Sequence, residues 1–174
     1  TNTAKISRKH ELMLSKNGLV TIVGGKWTIY RRMGQDTLDF IEKQFNLPTT
    51  KSVSHDLQLF GYTQDKLSYP LSAYGAQSDQ VKLIQEELNN FALIHPDLPY
   101  LQAEVVYQVR YEHVKTIEDI LARRTRALFL NSQAAIEAAP VVAQLMAQEL
   151  AYDQKWQEEQ LAEFNRVAAN FCLS

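Results

Sequence analysis

The sequence has a single cysteine, Cys172, in 174 residues. That leaves no partner for an internal disulfide and fits a reducing compartment. Its place near the C-terminus suggests packing rather than chemistry. Long apolar runs are missing too. None nears the roughly 20 residues that span a bilayer, and no leader-type pattern is present. Charge of one sign is also lacking. Eighteen Lys and Arg stand against 20 Asp and Glu, a formal net charge of -2, which gives no electrostatic reason to expect nucleic acid. The four histidines, His10, His55, His95 and His113, show no metal spacing, so no metal is expected. There is no nucleophile elbow, no clustered carboxylate pair, no repeat and no low-complexity tract. What remains is a globular profile, 45% hydrophobic and 22% charged, long enough for one ordinary domain or a small domain plus part of another.

Turning to what is there, "KISRKHELMLS", "KNG" and "LVTIVGG" read as a β-hairpin. Asn17-Gly18 is a strong tight-turn signal. A two-residue turn there pairs position i with about 35 minus i and places Arg8 roughly opposite Trp27. "LVTIV" is apolar on both faces and wants cover on both sides, yet no further strand is legible. From Thr28 the period becomes helical, with Ile29, Met33, Leu38, Ile41 and Phe45 on one stripe and "NLP" as the stop. Residues 48–77 read as a connecting loop with a short turn of helix near its end.

The rest is helical. "SDQVKLIQEELNNF" opens with Ser78 as N-cap, and Val81, Ile84 and Leu88 form its stripe. "HPDLPY" reads as a break. "LQAEVVYQVRYEHV" places Val105, Val109 and either Val106 or Tyr107 inward. "TIEDILARRTRALFL" opens at Thr116, with Asp119 completing a near capping box. Pro140 is expected to kink or split the Ala-rich segment around it. Asp153 caps the last helix, which carries Trp156, Leu161, Phe164, Val167 and Phe171 on one side. Five or six amphipathic helices with short links make a bundle. The expected organisation has three parts: 1–33 as the end of an α/β domain, 34–74 as connecting helix and loop, and 75–174 as a helical domain. The fold class is mainly α, a helical bundle preceded by a β-hairpin and helix. The chain opens without Met, at "TNTAKISRKHE", in what reads as the middle of a strand, and is expected to be a piece of a larger protein.

"GGKWT" is the stretch with chemical promise. Gly24 and Gly25 let a backbone approach a ligand closely. The helix behind them offers free N–H groups to an anionic or electron-rich group, and Lys26 adds a full charge. The bland alternative is a tight strand-to-helix turn with an exposed lysine. Neither the P-loop spacing nor the G-x-G-x-x-G fingerprint is present. Arg8 and Lys26 could sit near one end of the hairpin and suit a phosphate or carboxylate; two solvated cations are the alternative. In "RRTR", Arg123, Arg124 and Arg126 are expected to pair with carboxylates such as Glu118 or Asp119, and one of Arg123 and Arg126 could cap a buried carboxylate such as Glu104.

"ISRKHELMLSKNGLVTIVGGKWTIYRRMGQD" and "LPYLQAEVVYQVRYEHVKTIEDILARRTRALFLN" together resemble the FAD-dependent glycerol-3-phosphate dehydrogenases: the last strands and flavin loop, then the C-terminal helical domain. The resemblance covers almost the whole chain and is weakest over 48–95. It implies an enzyme that oxidises sn-glycerol 3-phosphate to dihydroxyacetone phosphate by hydride transfer to FAD, with electrons passing to quinone, or to oxygen in the oxidase branch. By position, Arg8 resembles an arginine that holds the substrate phosphate. Lys26 resembles a catalytic lysine at the flavin pyrimidine edge and substrate pocket, where a cation favours the negative charge of the reduced flavin. Gly24, Gly25, Trp27 and Thr28 resemble the loop whose backbone meets the isoalloxazine. Ile29 stands where the family has a second threonine.

The pyrophosphate-binding G-x-G-x-x-G and the region expected to supply a general base are missing. FAD therefore belongs to a full-length parent, and the 174-residue chain alone is expected to bind neither FAD nor substrate and to be inactive. The resemblance implies a cytoplasmic location, with peripheral association at the inner face of a membrane and a homodimer as accessory expectations. The alternative from another class is a helical interaction module that docks a partner subunit or a membrane-bound electron acceptor, which predicts an exposed apolar patch on the helices from 100 to 170.

Overall fold

A computed structural model describes residues 9–172. The chain divides into two compact units, Thr1–Leu59 and Phe60–Ser174. That division falls inside the stretch read as connecting helix and loop.

In the first unit, strands β1 (His10–Leu14) and β2 (Val20–Gly24) pair antiparallel, from His10 opposite Gly24 to Leu14 opposite Val20. This is one residue away from the register expected of a two-residue turn. The Ser15 amide donates to Leu19 O (2.9 Å) and the Gly18 amide to Ser15 O (3.0 Å). The loop is therefore the three residues 16–18, a turn closed by Gly18 at φ +87, and only Gly18 uses the left-handed region. The observed register sets Leu12 opposite Ile22 and Leu14 opposite Val20. A slip would break that apolar match, because one residue turns every side chain to the other face. The placement of Arg8 lies outside the described residues.

Trp27–Ile29 forms a single 3-10 turn that runs into α1 (Tyr30–Gln44). Asn46 in the left-handed region (φ 51) and the Leu47 amide donating to Glu42 O close the helix. No residue of α1 is fully buried.

In the second unit, two 3-10 turns, Leu71–Ala73 and Gly75–Gln77, lead into α2 (Ser78–Leu88). Ser78 is the first helical residue rather than the N-cap; Gln77 holds that position without a side-chain bond. The expected break at "HPDLPY" is instead a second hairpin, β3 (Leu93–His95) with β4 (Leu98–Leu101). It buries Ile94, Leu98 and Tyr100. Strands this short carry too little alternation to be read from sequence.

Helix α3 (Gln102–Glu112) is buried nearly all round: Val105, Val106, Tyr107 and Val109 all point inward, together with Glu104 and Gln108. A π-helix, Asp119–Arg124, follows, then α4 (Ala127–Leu130), α5 (Ser132–Leu150) and α6 (Gln154–Ala168). The near capping box is real. Thr116 Oγ1 accepts from the Asp119 amide, and Asp119 Oδ2 accepts from the Thr116 amide. Asp153 Oδ1 caps α6 through the Trp156 amide (2.9 Å). Pro140 does not split α5, which is unbroken from 132 to 150.

The core of this unit joins Val105, Ile117, Ile120, Leu121, Leu128, Met146 and Phe164. The alanines of α5 present small side chains to it, which lets neighbouring helices approach closely. The chain is mainly α. No helix among the described residues is long and apolar enough to cross a membrane.

Candidate functional site

The site is built where β2 ends. Gly24 and Gly25 both have φ +78, a conformation that L side chains rarely adopt. A Cβ at Gly24 would lie 2.9 Å from Lys9 O, and one at Gly25 would lie 2.6 Å from Met33 Sδ. The turn's own packing thus requires the doublet, since the missing side chains would run into Lys9 just ahead of β1 and into Met33 on α1. The chain then extends through Lys26 (φ -139, ψ 151) and coils at Trp27. Among the described residues no side chain caps the 3-10 turn or α1. The Ile29 and Tyr30 amides donate to Lys26 O and Trp27 O, which leaves the amides of Trp27 and Thr28, ahead of them, as donors for an outside group.

Beside this turn lies a groove of about 650 Å³, walled by Gly24, Gly25, Lys26, Trp27, Tyr30 and Met33 among others. It is lined mostly by apolar atoms. The Trp27 indole is 89% exposed, and its ring centroid lies 6.2 Å from that of Tyr30. An indole left in water is a strong candidate for contact with another flat or apolar body. Lys26 is exposed and forms no ion pair among the described residues. Its basic neighbours on α1 are engaged: Arg32 Nε lies 2.9 Å from Asp36 Oδ1, and Arg31 donates to Gln35 and Ser54. Thr28 is exposed at the start of the same turn. The structure therefore brings Gly24, Gly25, Lys26, Trp27 and Thr28 together on one turn. Arg8 lies outside the described residues. Tyr30 and Met33, which sequence reasoning left out of the site, complete the wall; their helical i, i+3 spacing from Trp27 was the available signal.

The other sequence candidates resolve into structure. Arg123 pairs with Glu118 (2.7 Å) and Asp119 (2.9 Å), and Arg124 with Glu112 (2.9 Å). Glu104 is capped by neither Arg123 nor Arg126. Its carboxylate accepts from the Leu101 amide (2.6 Å) and the Tyr74 hydroxyl (3.0 Å), and burial pushes its pKa up to about 7. Cys172 is exposed rather than packed. Among the described residues no cluster of His, Cys, Asp and Glu could hold a metal.

A strand, a glycine doublet, an exposed lysine and a helix start, followed by a separate helical unit, make a strand-to-helix turn with an appended helical domain. Residues 19–157 match the family model described as the C-terminal domain of alpha-glycerophosphate oxidase, and the chain belongs to that family. It is 34% identical over 189 residues to a probable mitochondrial glycerol-3-phosphate dehydrogenase of Dictyostelium discoideum, covering 98% of this chain and 29% of that protein. It is also 34% identical over 182 residues to the mitochondrial glycerol-3-phosphate dehydrogenase of Homo sapiens, covering 92% of this chain and 25% of that one. The chain thus spans between a quarter and a third of the length of these curated relatives. A solved glycerol-3-phosphate dehydrogenase from Bacillus halodurans, complexed with FAD, shares the fold with a TM-score of 0.62 at 24% identity, over 91% of this chain and 36% of that one.

Proposed function

We propose that this chain is the C-terminal part of a flavoenzyme that oxidises sn-glycerol 3-phosphate to dihydroxyacetone phosphate, with electrons passing to quinone. The observation that carries the reading is the exposed Lys26, without an ion pair among the described residues, on a glycine-closed turn beside an apolar groove, in a chain of this family. A planar ring with an anionic edge fits these residues. The apolar wall takes the ring, and the lysine and the uncapped amides take the edge.

FAD, when bound, supplies the hydride acceptor. This chain's part is positional and electrostatic. Gly24, Gly25, Trp27 and Thr28 hold the turn against the ring, and Lys26 places a positive charge where negative charge develops. Arg8 is the proposed clamp for the substrate phosphate. Peripheral attachment at the cytoplasmic face of a membrane belongs to the same proposal.

The test is glycerol 3-phosphate oxidation by the full-length enzyme, assayed with a quinone analogue and with oxygen. Arg8→Ala is expected to cost about 2–5 kcal/mol in kcat/KM, the usual loss for truncating one member of a buried charge pair. Unchanged kinetics would remove Arg8 from the site. Faster turnover with oxygen than with quinone would move the protein to the oxidase branch.

One observation favours a second reading, a docking role for the helical unit. Phe129 packs edge-on against Phe171 at 5.2 Å, and Leu130 beside it is 70% exposed. Leu130→Ser would weaken a partner complex while leaving single-turnover flavin reduction intact.

A further inference from the structure

A histidine and a carboxylate stand behind the turn that carries Lys26 and outside the groove wall. His10 lies opposite Gly24 in the hairpin register, with its side chain only 14% exposed. Its Nε2 is 3.0 Å from Asp36 Oδ2 on α1. The other oxygen of Asp36, Oδ1, is 2.9 Å from Arg32 Nε. One carboxylate thus ties the end of β1 to α1 while a cation on its own helix holds it in orientation. The segment between those two anchors is the Gly24–Ile29 turn. That turn rests on the same pieces: a Cβ at Gly25 would meet Met33 Sδ at 2.6 Å and His10 Cβ at 3.4 Å. The close neighbours of Gly25 are apolar atoms, and the bond between His10 and Asp36 adds a polar, directional tie at this point. A directional bond fixes the separation of strand end and helix more sharply than apolar contact does, and Coulomb energy at a groove falls with distance and rising dielectric, so small displacements of a cation matter.

We infer that His10 and Asp36 are positioning residues for Lys26. Their tie across the Gly24–Lys26 turn sets where the lysine stands against the bound ring. This rests on the reading of Lys26 as the cation at the flavin edge.

The experiment compares the midpoint potential of the bound flavin in the full-length enzyme with Lys26→Met, Asp36→Asn, His10→Gln and the Lys26→Met/Asp36→Asn double variant. Lys26→Met is expected to weaken the equilibrium toward reduced flavin about tenfold, which is about 30 mV lower for a two-electron couple. Asp36→Asn and His10→Gln are each expected to weaken it about threefold or more, and the double variant to fall no lower than Lys26→Met alone. The sign discriminates. Simple loss of a nearby carboxylate charge would raise the potential, whereas a displaced lysine lowers it. Asp36→Glu keeps the charge and moves it by one methylene, so it should also lower the potential, and it serves if Asp36→Asn fails to fold. Independently of any flavin, Asp36→Asn should speed amide hydrogen exchange at 25–28 about tenfold in this chain and leave 78–168 unchanged. A raised or unmoved potential, or full additivity in the double variant, overturns the inference. If Lys26→Met itself leaves the potential unmoved, the flavin-edge reading of Lys26 falls, and the role of the pair falls with it.

Discussion

Glu104 is the residue whose chemistry stands furthest from its ordinary behaviour. It is 2% exposed, and among the described residues it has no cation partner and accepts only from the Leu101 amide and the Tyr74 hydroxyl. Gln108 Nε2 in turn donates to Tyr74 at 2.7 Å. Burial disfavours the carboxylate more than these two donors favour it, so the pKa rises to about 7. A folded pKa above the unfolded one means that the fold favours the protonated form. The associated stability is fully present below the unfolded pKa and is lost as pH rises through about 7. Each pH unit between the unfolded and folded pKa carries about 1.4 kcal/mol, so the loss on going from acid to pH 8 is on the order of 3 kcal/mol. Denaturant midpoints at pH 5 and pH 8 should therefore differ in the wild type and nearly coincide in Glu104→Gln, which stays neutral throughout. Asp119 is held the other way, below the ordinary carboxylate range, by the amides of Lys115 and Thr116, the Thr116 hydroxyl and Arg123, which together outweigh its burial. Its stabilisation is present above the unfolded pKa and is lost only as pH falls below it, so it does not mask this window. An equal pH dependence in both proteins would remove Glu104 as the cause.

At the scale of elements, Arg110 tests what joins the helices of the second unit. From α3 its Nε reaches Glu149 on α5 at 2.6 Å, and its Nη1 reaches Glu87 on α2 at 2.8 Å. The Glu149 side chain is 17% exposed and that of Glu87 is 55% exposed. Exposed pairs contribute about 0–1 kcal/mol, whereas breaking a buried pair costs about 3–5 kcal/mol. Glu149→Gln should thus cost between these ranges, about 1–3 kcal/mol by urea unfolding, and Glu87→Gln clearly less. Equal costs would show that burial does not set the ranking. Neither partner was legible in the sequence, since 23 and 39 residues separate them from Arg110.

Local signals were legible where a single turn decides them: the Thr116–Asp119 box and the Asp153 cap. The α1 stripe held only in part, because Leu38 and Phe45 are exposed. Local signals failed where two answers share one signal. Asn17-Gly18 marks a turn equally well whether the loop has two residues or three, and only the Leu12–Ile22 match across the strands chooses. Ser78 looks like a cap, but the 3-10 turn ahead of it carries the helix start one residue earlier. The glycine doublet stands out in the sequence for its ability to let a ligand approach. The structure gives it a second cause, contact with Lys9 and Met33, which no local pattern could reveal because Met33 is one turn into the next helix.

On the scale of the whole molecule, the two units differ in how they are held. The second has a continuous core in which Ile117, Ile120, Leu121, Val142 and Met146 are fully buried. The first has a two-stranded hairpin and a helix with no fully buried residue, and leaves Leu19, Trp27, Leu38 and Val53 largely in water. A two-stranded hairpin is marginal on its own, and stability tracks the apolar area removed from water. Local opening should therefore be far easier in the first unit than in the second. Hydrogen exchange on the 174-residue chain should show amides of 105–109, 134–147 and 157–166 protected to the level of global unfolding. Those of 10–14, 20–24 and 30–44 should exchange at least a hundredfold faster, a gap of about 2.7 kcal/mol or more. The same comparison bears on the proposed cofactor edge. A groove whose indole is exposed on a weakly held unit lacks the rigid, enclosed wall that tight binding of a flat ring requires, so free FAD should show no micromolar fluorescence quenching when titrated with this chain. If 30–44 exchanged as slowly as 134–147, the first unit would have a stabilising core of its own, and the flavin titration would then be expected to succeed.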